Sequence, residues 1–436
     1  MQVVLISTYD LGRQPFGLAS PAAWLRPEGH QVTTADLSRE PAPFDAIRTA
    51  DWIAFYLPMH TATRLAIPQI RAARELNPGA RICCYGLHAP ANDQMLRKLG
   101  VTHIIGGEFE KALADLISGR ATPALTLSLD RLQFRVPDRA NLPPLRKYAA
   151  LQHGSAQKIV GYTEASRGCK HLCRHCPIVP IYQGRFRVID RDVVLSDIRQ
   201  QVSVGAGHIT FGDPDFLNGP GHAVKIVEAL HAEFPQVSYD LTIKIEHLLK
   251  HRDLLPVLAR TGCALITSAV ESLDNGVLQR LDKGHTREDF LEALCLTRAH
   301  GLAMAPTFVA FTPWTSRQDY LELLRTIRDL DLVADVAPIQ LAIRLLIPAG
   351  SKLLELTDLH IGPFDPEALS YRWTHPDPSM DRLCSDLLRL IRAGDRRGAS
   401  RAEIFAEIEQ RASGAPPDFH LVNRASIPYL TEPWYC

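Results

Sequence analysis

At 436 residues, 46% hydrophobic and 22% charged, the chain has the composition of a globular protein of two or three domains. Lys+Arg and Asp+Glu balance at 48 each, which argues against a general nucleic-acid footprint or a polybasic membrane surface. No apolar run approaches the ~18 residues of a membrane span, Met1–Ser7 lacks a basic leader and cleavage site, and an odd count of nine cysteines argues against a secreted disulfide scaffold, so a cytoplasmic location is expected.

In chain order, Val3–Ser7, Gln31–Thr34, Trp52–Tyr56, Arg81–Tyr85 and His103–Ile105 are predicted strands. Predicted helices lie between them near Pro21–Arg26, Phe44–Ala50, Thr61–Leu76, Asn92–Leu99 and Glu108–Ile117. This alternation predicts a doubly wound parallel α/β sheet for residues 1–120. Such sheets bind ligands outside the carboxyl ends of their strands, which marks the loops Thr8–Ser20, Leu57–His60, Gly86–Ala91 and Gly106–Gly107. Residues 121–158 carry Pro123, Pro137, Pro143 and Pro144 without a sustained period, and are predicted to be a linker.

Residues 159–350 alternate again. Predicted strands are Ile159–Thr163, His208–Phe211, Ser238–Ile245, Leu265–Val270, Ala305–Phe311 and Gln340–Leu346, with helices between them. Six units predict a partial (β/α)6 barrel whose carboxyl face carries the chemistry. Residues 351–436 hold two predicted helices, Met380–Ala393 and Arg401–Arg411, and then an ending rich in aromatics and proline, Ile427–Cys436.

The chemistry-bearing stretch is Ser166–Pro177, where Cys169, Cys173 and Cys176 stand at CxxxCxxC spacing. One short loop thus gathers three thiolates, as a metal or iron–sulfur site requires. Closed structural sites normally take four ligands, whereas a reactive centre keeps one position open. A Cys3His zinc site completed by His171 or His175 is the alternative. Cys83, Cys84, Cys263, Cys295 and Cys384 lie in apolar contexts and are expected to be small buried hydrophobes.

CxxxCxxC directly after the first strand of a βα barrel resembles the radical S-adenosylmethionine (SAM) superfamily. The resemblance implies a 4Fe–4S cluster on the three cysteines, SAM on the fourth iron, and a reduced flavodoxin- or ferredoxin-type electron donor. Phe211-Gly-Asp-Pro-Asp-Phe216 resembles the segment that contacts the SAM amino group, with Gly212 in the turn, Asp213 the first choice for that contact and Asp215 the second. Ala269-Val-Glu-Ser272 with Leu281–Thr286 resembles a pairing common in the cobalamin-linked branch, placing Glu271 and Ser272 near SAM. Lys244, expected on the preceding strand, would pair with the SAM carboxylate, and Ile347, in Leu346-Ile-Pro-Ala-Gly350, would line the adenine pocket. His175 stands where the family usually has an aromatic residue.

The N-terminal order of elements resembles cobalamin-binding domains fused to radical enzymes. The DxHxxG loop of those domains is missing, so cobalamin would be held without a histidine ligand, or the fold serves as a scaffold or substrate platform. The ending resembles a radical SAM group with a CUAEP or CCAEP tail. Only Cys436 of that motif is present, as a selenocysteine codon read as a stop would leave it. Cys436 would then be a catalytic thiol that binds a small or thiophilic substrate. The expected reaction is transfer of a SAM-derived group, methyl or 3-amino-3-carboxypropyl, to a small acceptor. The alternatives are hydrogen abstraction by a 5′-deoxyadenosyl radical with cobalamin-dependent methylation, or a zinc or iron–sulfur scaffold without turnover. No nucleic-acid or membrane partner is expected.

Overall fold

The computed structural model describes residues 1–416 and 428–432. Six strands, β1 (Gln2–Ser7), β2 (Gln31–Asp36), β3 (Trp52–Tyr56), β4 (Arg81–Tyr85), β5 (His103–Gly107) and β6 (Leu125–Ser128), form one parallel sheet in the order β2-β1-β3-β4-β5-β6. Alternation along β1 sends Val3 and Leu5 into one core cluster and Val4 and Ile6 into another, so helices cover both faces. The helix His60–Leu76 buries Ala62, Ala66, Ile70 and Ala73 at helical spacing. The first helix runs from Phe16 to Leu25, earlier than expected, and shortens the first loop to Thr8–Pro15.

Two strands lie within the expected linker. β6 extends the first sheet, and β7 (Ala150–His153) opens the second by pairing antiparallel with β8 (Ala156–Thr163). The prolines limit strand length here but do not prevent edge pairing. Next come β9 (Ser166–Gly168) and β10 (Phe186–Val188), an antiparallel clasp around the cysteine loop, then β11 (His208–Phe211), β12 (Ser238–Thr242), β13 (Cys263–Glu271) and β14 (Met304–Phe308). β8, β11, β12, β13 and β14 are successive parallel neighbours of a curled half-barrel. Gln340–Leu346 is not a sixth full strand. A 3-10 turn at Pro338–Ala342 is followed by one parallel bridge between Phe311 and Arg344.

A two-residue ribbon of β15 (Phe364–Asp365) and β16 (Ser370–Tyr371) precedes two helices, Pro378–Arg396 and Arg401–Ser413. Their Met380, Leu387, Ile404 and Phe405 join the barrel's core cluster. β17 (Tyr429–Leu430) pairs antiparallel with β7 at the sheet edge. Among the described residues no helix is long and apolar enough to cross a membrane. Cys83, Cys84, Cys263 and Cys384 are buried as expected, but Cys295 is exposed. On its helix Phe290, Ala293, Leu294 and Thr297 face inward, which turns position 295 outward.

Candidate functional site

The cysteine loop leaves the clasp at Gly168, whose φ of +75° and close approach to Tyr182 leave no room for a side chain. Cys169 and Cys173 are buried and Cys176 is partly exposed. Asn218 braces the loop start, its Oδ1 accepting from the Lys170 N–H at 3.1 Å and lying 3.9 Å from Cys169 Sγ. Arg174 holds the far side, its backbone N–H donating to Leu281 O at 2.9 Å and its guanidinium to Gln279 O and Arg280 O. Burial, then the neighbouring thiols, pushes Cys176 up to about 12. Ligation requires the thiolates, so binding a metal group here would release protons.

Two cations stand beside these sulfurs. Lys244 is not on β12 but directly before the helix Ile245–Lys250, and its Nζ lies 3.6 Å from Cys173 Sγ. Lys283 is 3% exposed and donates to Glu271 Oε1 at 3.3 Å. Glu271 also meets His175 Nε2 at 3.1 Å. Burial opposes ionisation of Glu271, but Lys283 and His175 outweigh it and hold the carboxyl at about 2. Glu271 sits at φ +69°, where the β13–β14 register shifts, so its backbone is strained at the strand end. His285 is buried, and burial with Lys283 and Lys244 lowers it to about 4. Lys283 and His285 both lie in the Leu281–Thr286 stretch, so the sequence marked the segment without assigning their roles.

Other expected site residues do different work. Asp213 is 2% exposed and spends both oxygens on the protein, accepting from the Ala165 N–H at 2.8 Å and the Ser166 hydroxyl at 2.5 Å. These contacts brace the approach to the clasp. Asp215 lies 2.6 Å from His247 Nδ1 and 3.5 Å from His171 Nε2. Burial works against its ionisation, but the two histidines hold it at about 2. Gly212 is required because a Cβ there would fall 1.8 Å from the Tyr162 hydroxyl. The Ser272 hydroxyl accepts from the Asp274 N–H and so organises a turn. Ile347 is fully buried with Val277, Leu281, Leu345 and Leu353. Cys436 lies outside the described residues. Glu432, the last described residue, accepts from the Tyr9 hydroxyl at 2.6 Å and pairs with Arg39 at 3.1 Å.

The donor set fits a 4Fe–4S cluster: three thiols in one buried loop, with two lysines to offset thiolate charge. His171 and His175 are directed to carboxylates, although Cys169, His171 and Asp215 do place donor atoms within 4.8 Å of one another. The carboxyl ends of the N-terminal strands do not fit cobalamin. Tyr56, Tyr85 and Phe109 pack there with ring centroids 5.1 to 5.9 Å apart. Arg167 of β9 crosses to the fully buried Glu108 and Glu110 at 3.2 and 2.7 Å, and the cavity bordered by Leu87, His88, Cys176 and Pro348 measures about 20 Å³, room for about one water.

Residues 163–331 match the radical SAM superfamily model. The chain is 26% identical over 246 residues to a tRNA-2-methylthio-N(6)-dimethylallyladenosine synthase of Pelodictyon phaeoclathratiforme, covering 52% of this chain and 51% of that one. It is 26% identical to a hopanoid C-3 methylase of Methylococcus capsulatus, covering 42% and 35%. It thus spans about half or less of these relatives. Among solved structures, the cobalamin-dependent SAM radical enzyme OxsB with aqua-cobalamin bound gives a TM-score of 0.67 at 14% identity, covering 94% of this chain and 71% of that one. The radical SAM methyltransferase TsrM of Kitasatospora setae gives 0.60 at 15% identity, covering 76% and 72%. Such identities show a shared fold. Residues 163–331 thus carry the radical SAM match, and the chain shares the fold of these enzymes, a parallel N-terminal sheet joined to a curled half-barrel.

Proposed function

We propose that the protein is an enzyme that reductively cleaves SAM and transfers a SAM-derived group, methyl or 3-amino-3-carboxypropyl, to a small acceptor. The observation that carries this reading is the meeting of Cys169, Cys173 and Cys176 with Lys244, Glu271, Lys283 and His175 at adjacent strand ends. When bound, a 4Fe–4S cluster supplies one electron to a carbon–sulfur bond of SAM. The chain's own residues position and shield. Lys244 and Lys283 offset the negative charge of the thiolates in a buried setting where an uncompensated charge is costly. Glu271, kept ionised, offers an acceptor for SAM hydroxyl or amino groups, with His175 fixed against it. Asp213 and Asn218 hold the loop so that the thiols keep their spacing.

Cys436 is proposed to hold the acceptor. Support comes from the anchoring of Glu432, four residues earlier, to the first loop of the N-terminal unit. Methylation through cobalamin is the less favoured reading, because Tyr56, Tyr85 and Phe109 pack together at the carboxyl ends of that sheet and Arg167 is paired there with Glu108 and Glu110. The test is anaerobic incubation of reconstituted enzyme with SAM and a reductant such as dithionite, then identification of the fragments. 5′-Methylthioadenosine indicates aminocarboxypropyl transfer, and S-adenosylhomocysteine indicates methyl transfer. 5′-Deoxyadenosine as the sole product would replace group transfer by hydrogen abstraction, and intact SAM would overturn the enzymatic reading.

A further inference from the structure

Lys158 stands near the start of β8, and His208 and Ser238 are the first residues of β11 and β12. They lie at the amino ends of these strands, opposite the ends that carry the cysteine loop. Parallel register pairs Val160 with His208 and His208 with Ser238, and two residues further on pairs Thr210 with Asp240. Alternation therefore sets Lys158, His208, Ser238 and Asp240 on one face of the sheet. Tyr239, between the last two, sends its hydroxyl to Thr261 on the helix side, so the shared face looks into the barrel. A cavity of about 770 Å³ opens at this end, lined by Ser238 and Lys158 together with apolar Leu151, Leu294, Leu302 and Met304.

The four side chains form one hydrogen-bonded chain. Lys158 Nζ lies 2.9 Å from Ser238 Oγ, Ser238 Oγ 2.8 Å from His208 Nδ1, and His208 Nε2 2.9 Å from Asp240 Oδ1. His208 is fully buried and Asp240 is 4% exposed, and Asp240 also accepts from the Thr210 hydroxyl. The donor inventory fixes the directions. An ionised carboxylate only accepts, so Nε2 carries the proton of the neutral imidazole and Nδ1 is left as an acceptor. An ammonium only donates, so the Ser238 hydroxyl accepts from Lys158 and gives its single hydrogen to His208 Nδ1. A ladder that only paired β11 with β12 would need His208, Thr210 and Asp240. It would not need a hydroxyl held against a free imidazole nitrogen, beside an ammonium, in the wall of a cavity.

A serine whose proton is taken by an imidazole that a carboxylate orients is the arrangement of an activated oxygen nucleophile. We propose that Ser238 is the nucleophile of a second active site, one that hydrolyses small carboxylic esters with an apolar acyl group. Ser238 Oγ attacks the acyl carbonyl carbon while its proton passes to His208 Nδ1, and the Lys158 ammonium stabilises the tetrahedral oxyanion. Collapse breaks the bond to the alcohol, which leaves with the proton from Nδ1. Water then attacks the acyl–Ser238 ester in the same way, giving a proton to His208, which returns it to Oγ as the carboxylic acid departs. Asp240 is a positioning residue that holds the imidazole in the tautomer accepting at Nδ1. No electron is transferred, so this site works independently of the cysteine loop and of the group-transfer reading.

The experiment uses cluster-loaded enzyme without SAM or reductant. An alkyl fluorophosphonate, which phosphonylates activated serines with loss of fluoride, is expected to label Ser238, read by peptide mass spectrometry. p-Nitrophenyl butyrate is expected to be hydrolysed, with p-nitrophenol measured after chromatographic separation from the protein. Ser238→Ala and His208→Gln should each lower kcat/KM by at least about 100-fold, and Asp240→Asn should lower kcat by at least about tenfold at unchanged KM. Cluster absorption reports the folding of each variant. If the change at buried His208 prevents cluster loading, labelling of the unaltered enzyme and hydrolysis by Ser238→Ala, at a partly exposed position, decide. A Ser238 left unmodified, an ester left intact, hydrolysis that survives in Ser238→Ala, or labelling at an undiminished rate in His208→Gln would each overturn the proposal. An unchanged kcat in Asp240→Asn would overturn the positioning role.

Discussion

Lys244 shows how a residue chosen for one role acquires another from geometry. Its nitrogen lies 3.6 Å from Cys173 Sγ, and hydrogen bonds and positive charge near cluster sulfurs raise reduction potentials. Lys244→Met is therefore expected to lower the midpoint of the cluster in a redox titration performed without SAM. An unchanged midpoint with weakened SAM binding would leave Lys244 the SAM carboxylate alone. Cys173→Ala should remove the visible absorption of the reconstituted protein, whereas a full spectrum would rule out this ligand set. The three-cysteine loop was legible in the sequence because its spacing gathers the thiols, whereas Glu271 and Lys244 were expected only from a family resemblance. The hydrogen bonds of Asp213 were not legible. Its partners Ala165 and Ser166 lie 48 and 47 positions away, and only folding brings them together.

At the scale of elements, the segment read as a linker works as a staple. Arg139 donates to both oxygens of Asp197 at 2.7 and 2.8 Å, to Gln14 Oε1 at 2.7 Å and to Tyr162 O at 2.6 Å. One side chain thus joins the first loop, the first barrel strand and the helix Arg191–Ser203. Arg139→Ala strips a 1% exposed Asp197 of its cation and is expected to cost about 3–5 kcal/mol, measured by urea unfolding. A loss under about 1 kcal/mol would mean that water replaces the guanidinium. Proline content predicted the missing regular structure here, but the ion pair has no local signature. The same limit explains the sixth strand. Gln340–Leu346 is apolar enough for a strand, yet only Arg344 completes a bridge, because the segment before it turns at Pro338.

Over the whole molecule, burial raises several carboxyls. Asp10, Glu108 and Asp213 are each raised to about 7. Between the ordinary carboxylate values of 3.8 to 4.5 and about 7 the folded chain binds more protons than the unfolded one, so these groups' stabilisation is lost as pH rises through that window. Asp215 and Glu271, held at about 2, act in the opposite sense, and their contribution is lost only as pH falls below about 4. Replacing Asp213 by Asn should therefore make the unfolding midpoint of cluster-free protein fall less, or rise more, between about pH 5 and pH 7.5 than in the unaltered chain. An identical slope in that variant would remove Asp213 from the set.

The sequence by itself determined the two α/β units, the three-thiol loop and the strand ends that face it. Periodicity and short-range spacing encode these, and neither depends on contacts distant in the chain. Tertiary structure decided what no local pattern carries: Lys283 against Glu271, Arg167 sealed onto Glu108 and Glu110, and Arg139 onto Asp197. Each is a charge whose partner, or lack of one, lies across the fold. In a buried setting, whether a charge is paired decides both its cost and its use.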